Sequence, residues 1–91
     1  MRFYEACVRV AERIENRMPP EEQARFMETP YSELWQYHFT VGLWIRNYGL
    51  QNEPDLYPAL RILGYNDTDA MSLYLLEFTQ QYLKLKRAQL L

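Results

Sequence analysis

A chain of 91 residues has room for one domain with one core, residues 1–91, and not for two. A hydrophobic share of 48% beside 24% charged residues excludes intrinsic disorder, and a net charge of −2 fits neither a dedicated nucleic-acid binder nor a strongly acidic nucleic-acid mimic. Cys7 is the single cysteine and has no partner for an internal disulfide, no Cys/His cluster has zinc spacing, and no segment approaches the roughly 18 uninterrupted apolar residues of a membrane span. The opening residues lack the apolar run of a signal peptide. These features predict a cytoplasmic protein with no membrane contact, metal or cofactor.

The apolar spacing is helical, no stretch alternates as a strand would, and prolines and glycines divide the chain into about five helices. The first is expected from about Arg2 to Arg17. Phe3, Cys7, Val10, Ile14 and Met18 share one face, widened by Tyr4, Val8 and Ala11. Arg2, Arg9, Arg13 and Arg17 form a stripe on the opposite side, about 22 Å long at the rise of an α-helix. Such a stripe can grip phosphates or an acidic partner through forked donors. It can equally be a solvated face, since Glu5 and Glu12 flank it and Glu5–Arg9 is an i,i+4 pair.

Pro19-Pro20 ends this helix, and Pro20-Glu21-Glu22-Gln23 suits the first turn of a short second helix reaching about Glu28. Glu21 and Glu22 are adjacent and diverge by about 100°, so they do not converge as a catalytic pair. A third helix is expected from Thr29-Pro30 or Ser32 to Tyr48, with Gly49 as a left-handed cap. After a loop at 50–53, a short fourth helix begins at Pro54 or after Asp55, with Pro58 in its first turn, and ends near Leu63 before Gly64. The fifth opens at Asn66 or Asp67, where Asn66-Asp67-Thr68-Asp69 resembles a capping box, and runs to about Ala88. Met71, Tyr74, Leu75, Phe78, Tyr82 and Leu85 form its main stripe. Leu76 and Leu83 form a second line, a candidate seam for a homodimer or another partner.

On a helical wheel the third helix keeps only Glu33, Gln36, Thr40 and Asn47 in a narrow polar arc, so it is expected to be the buried centre of the fold, about residues 30–48. Gly42 in its middle points to a close helix crossing. His38 and Arg46 lie off the polar arc. Read as a site, His38 would serve as an acid–base group or metal ligand and Arg46 would hold an anion, but no second ligand or orienting group has matching spacing. Read as structure, both are polar core residues satisfied by partners, with Asp67, Asp69 or Asp55 pairing with Arg46.

The run His38-Phe39, Gly42, Trp44-Ile45-Arg46-Asn47, followed by Tyr48-Gly49-Leu50, resembles the H-F-x-x-G-x-W-I-R-N pattern of a family of small uncharacterised helical proteins from bacteria and phages. Asn66-Asp67-Thr68-Asp69-Ala70-Met71-Ser72-Leu73 is similar to a later segment of that family, without its proline, and Met18-Pro19-Pro20-Glu21-Glu22 to an upstream one. The likeness spans most of residues 18–76 and leaves out residues 1–17 with the whole arginine stripe. It implies a helical domain and no particular activity.

The expected fold is an all-α orthogonal bundle of four to five helices. The expected function is a non-enzymatic protein-binding module, either a toxin-immunity protein or a phage-encoded inhibitor of a bacterial defence system. A nucleic-acid-associated regulator using the helix 1 arginines, as a dimer through helix 5, is the alternative, and net charge does not support it. An enzyme built on His38 and Arg46 is a third reading.

Overall fold

The computed structural model describes residues 2–91, leaving Met1 aside, and its two longest helices, α1 (Arg2–Arg17) and α5 (Thr68–Arg87), pack against each other. Their contact is what the apolar spacing demands. Cys7, Val10 and Ile14 of α1 are buried with Met71, Leu75, Leu76 and Leu83 of α5. Around this pair lie α2 (Pro20–Glu28), a 3₁₀ segment (Tyr31–Tyr37), α3 (Val41–Trp44), a π turn (Ile45–Gly49) and α4 (Leu56–Ile62). The fold is an all-α bundle, and among the described residues no helix is long and apolar enough to cross a membrane.

Glutamine side chains close two of the helix ends. Gln23 donates to the carbonyls of Glu15 and Met18 at the end of α1, the first of which also accepts from Met18 N–H, and buried Gln80 donates to those of Phe26 and Thr29 at the end of α2. The turn after α4 is a Schellman motif. Gly64 sits at φ 103° while Gly64 N–H donates to the Arg61 carbonyl and Tyr65 N–H to that of Leu60. α5 starts one residue later than a cap at Asn66 would set: Asp67 is the cap, its carboxylate accepting from Ala70 N–H at 2.8 Å.

The expected central helix is the largest departure from the sequence reading. It is not one α-helix, and it is not enclosed. Residues 31–37 wind with i→i+3 bonds, Thr40 leaves helical geometry at φ −115° and ψ −94°, and the chain re-enters an α turn that widens into a π turn. At three residues per turn, Leu34 and Tyr37 fall on one inward line. Trp35 and Phe39, which a continuous α-helix was expected to bury, point outward and are 66% and 79% exposed.

Two glycines explain how this irregular stretch fits. A Cβ on Gly42 would lie 3.1 Å from the Tyr37 carbonyl and 3.2 Å from the Arg46 guanidinium, so the close approach expected there comes mainly from within the segment. Gly49 is not the left-handed cap. It is buried inside the π turn, where a Cβ would meet Trp44, Ile45 and Val10 of α1.

Candidate functional site

The exposed rings of the 3₁₀ segment border an open niche of about 320 Å³. Trp35, His38 and Phe39 form one side, and Asp69, Leu73 and Leu76 of α5 form the other. Tyr31, also exposed, begins the same segment, and the Glu77 carboxylate of α5 pushes its titration upward. Leu34 and Tyr37 take the inward positions of the 3₁₀ segment, and Trp35, with Phe39 just beyond the segment, is left to solvent.

Behind the niche, Arg46 reaches back across the break at Thr40. Its Nη2 donates to the His38 carbonyl at 2.9 Å, its Nη1 donates to Ser72 Oγ at 3.1 Å, and Nη1 lies 3.2 Å from His38 Nδ1. Its Nε is 3.6 Å from Asp69 Oδ1, and Ser72 Oγ in turn donates to the Asp69 carbonyl at 2.9 Å. A guanidinium only donates, so His38 Nδ1 accepts with its lone pair, and the neutral ring carries its proton on Nε2. Of the aspartates expected as partners, Asp69 is the one within reach of Arg46, and Asp67 is occupied in capping α5. A histidine base is oriented by an acceptor at its far nitrogen, which fixes the proton there and stabilises the imidazolium that forms when the near nitrogen takes up another. His38 meets a donor there, which is the wrong arrangement for general-base work. Among the described residues, no three His, Cys, Asp or Glu side chains gather where they could hold a metal ion.

A family model described as a domain of unknown function (DUF6794) matches residues 6–83. The chain belongs to that family. No curated protein and no solved structure matches it. The matched span of this DUF6794 chain takes in the niche, the Arg46 contacts, and α1 from Ala6 onward, including three of the four stripe arginines.

The arginine stripe is largely committed within the DUF6794 fold. Arg9 grips Glu53 with two prongs, Nη2 to Oε1 at 2.7 Å and Nε to Oε2 at 2.9 Å, and Arg13 Nη1 donates to Oε2 at 3.0 Å. Glu53 is 4% exposed, and the Arg9 bond holds its carboxyl below the ordinary carboxylate range against the opposing effect of burial. The Arg17 guanidinium lies 5.0 Å above the Trp44 ring, and Arg2 is exposed at the start of α1. Sequence reasoning passed over Glu53 because it sits in a loop with no periodicity and its partner is 44 residues away.

Leu76 and Leu83 are corrected from partner contacts to core. They are 1% and 3% exposed, because α5 is covered by α1 and α2 on one side and by the 3₁₀ segment and α3 on another. The apolar residue that α5 does offer outward beside the niche is Leu73. Cys7 is buried in the α1 core, and burial first, then the Glu53 charge, pushes its thiol up to about 11.

Proposed function

We propose that this chain is a non-enzymatic protein-binding module whose contact surface is the aromatic face of Trp35 and Phe39 with Leu73 beside it. One observation carries the reading: two large rings close together in sequence, Trp35 and Phe39, stand mostly in solvent and border one niche together with partly exposed Leu73. Exposed contiguous apolar surface rimmed by polar groups marks interaction sites, and aromatic anchors dominate binding energy where they become desolvated. A toxin-immunity protein or a phage-encoded inhibitor of a bacterial defence system is the kind of binder this surface suits, since such proteins act by covering a partner. The nucleic-acid reading loses support because Arg9 and Arg13 already donate to Glu53, whose carboxylate offsets one of their two charges.

The test is a comparative capture from the native host. Wild-type chain and a Trp35→Ser/Phe39→Ser variant are immobilised in parallel, and retained proteins are identified by mass spectrometry. The expected result is a partner held by the wild type, lost with the double variant, and retained by an Arg2→Gln/Arg17→Gln control. Suppression of the purified partner's activity by the chain would support inhibition. Salt-sensitive retention on DNA, lost with the arginine control and kept by the aromatic variant, would overturn the reading in favour of the nucleic-acid alternative.

A further inference from the structure

We infer that the niche between Trp35 and α5 reads a peptide group of the partner, with His38 Nε2–H donating to its carbonyl and an apolar side chain seated against Trp35 and Phe39. This rests on the protein-binding reading above and names the chemistry that the surface recognises.

Three observations converge on it. The first is the fixed tautomer. Arg46 occupies His38 Nδ1 from behind, so the ring's remaining edge is a donor whose orientation does not depend on a ligand being present. The second is access. Every buried side-chain nitrogen and oxygen among the described residues has a partner, while His38 Nε2 has none, so this donor is open to solvent on a ring that lines the niche. The third is the company it keeps. The surrounding walls are Trp35, Phe39, Leu73 and Leu76, apolar groups that exclude water from a hydrogen bond made between them.

Charge selects among acceptors. The Arg46 guanidinium polarises the imidazole and strengthens Nε2–H as a donor, as linked hydrogen bonds do. An anionic acceptor is disfavoured nevertheless, because the Asp69 carboxylate stands at the lip with its side chain 70% exposed. A cationic group meets Arg46 behind the same floor. The occupant that fits is uncharged, carries an acceptor for His38, and gains further from a donor for the spare oxygen lone pairs of Asp69. A peptide unit has both, a carbonyl and an N–H, with a side chain attached to fill the space against the rings.

The full chain, labelled with ¹⁵N, tests this by NMR. The imidazole nitrogen resonances are expected to show the proton on Nε2. N-acetylphenylalaninamide, which offers peptide groups beside one ring, is expected to shift the His38 Nε2–H and Trp35 indole signals together and saturably, whereas ethylbenzene shifts Trp35 alone. His38→Asn keeps an acceptor near the Nδ1 position for Arg46 and deletes the Nε2 donor, and the backbone carbonyl of residue 38 still holds Arg46. This variant is expected to bind the amide probe about tenfold more weakly, one hydrogen bond's worth, with ethylbenzene unchanged. A proton on Nδ1, equal amide affinity in His38→Asn, tighter binding of acetate than of the amide, or no shift with the amide would each overturn the inference. The capture experiment on Trp35 and Phe39 does not involve His38, so the protein-binding reading stands or falls separately.

Discussion

α5 and the segment from Tyr31 to Leu50 are both rich in large apolar side chains, and they place them in opposite ways. α5 keeps a regular 3.6-residue period and turns Met71, Leu75, Leu76 and Leu83 into the core, with its exposed positions mostly polar. The other segment changes period twice, buries Leu34, Ile45 and Leu50, and leaves Trp35, Phe39 and Tyr48 in solvent. A regular helix commits its apolar face to one direction. A change of winding redirects the faces on either side of it, so the same composition can build a core in one region and a contact surface in the other. The structure holds this arrangement through Arg46, which bridges the break to the His38 carbonyl and to α5.

Stability measurements can break this contrast. The largest effect is expected for Leu76→Ala, which removes a fully buried side chain and should cost about 2–5 kcal/mol in urea unfolding, whereas Trp35→Ala and Phe39→Ala should each stay within about 0.5 kcal/mol. Comparable losses at all three positions would mean that the aromatic face is packed in solution and is no contact surface.

Next comes the Glu53 clamp, which ties the loop before α4 to α1. Glu53→Gln should cost about 2 kcal/mol at neutral pH, less than for a fully buried pair because Arg9 and Arg13 remain about half exposed. The folded carboxyl titrates below its ordinary value of 4.5, so its stabilisation is complete above that value in the unfolded chain and is lost as pH falls through the lower folded value. Wild type and Glu53→Gln should therefore converge in stability on the acid side of pH 4.5. Parallel curves across that window would show that Glu53 titrates alike in both states.

A comparable effect sharpens the account of the break itself. Arg46→Ala should cost about 2 kcal/mol by stripping donors from the His38 carbonyl and leaving a void, and Arg46→Met about half as much, because it refills the space. Equal and negligible shifts of the denaturant midpoint would remove Arg46 as the bridge. A modest change is expected at Gly64. Its φ of 103° makes Gly64→Ala destabilising by about 1 kcal/mol even though nothing lies near enough for a Cβ to strike.

Much of the fold was legible in the residues. The limits of α1 and α2, the stop at Gly64, Pro58 in the first turn of α4, and the burial of Cys7, Val10 and Ile14 on α1 and of Met71 and Leu75 on α5 follow from local propensity and 3.6-residue periodicity, which act within a few residues of chain, whereas Leu85, expected in the same α5 stripe, is exposed. The candidate site was legible only in part. His38 and Arg46 stood out as polar residues on an apolar face, and Asp69 was among the expected partners of Arg46. The exposure of Trp35 and Phe39 was misread, because a wheel assumes one continuous winding. The partner line of Leu76 and Leu83 was misread for a related reason: periodicity shows that a second face is apolar without showing whether another element of the same chain already covers it.

The sequence by itself determined that the chain is all-helical, where most helices begin and end, and the middle of the inward face of α1. These follow from backbone preference and from the period of the apolar residues. Only the tertiary structure decided that the segment around Gly42 breaks into three kinds of helix, that Arg9 and Arg13 are spent on Glu53, and that the outward surface is the one around Trp35 and Phe39. Each of those outcomes depends on groups far apart in the chain meeting in space. Hydrogen bonds from Arg46 to Ser72 and from Arg9 to Glu53 leave no local trace in the sequence that encodes them.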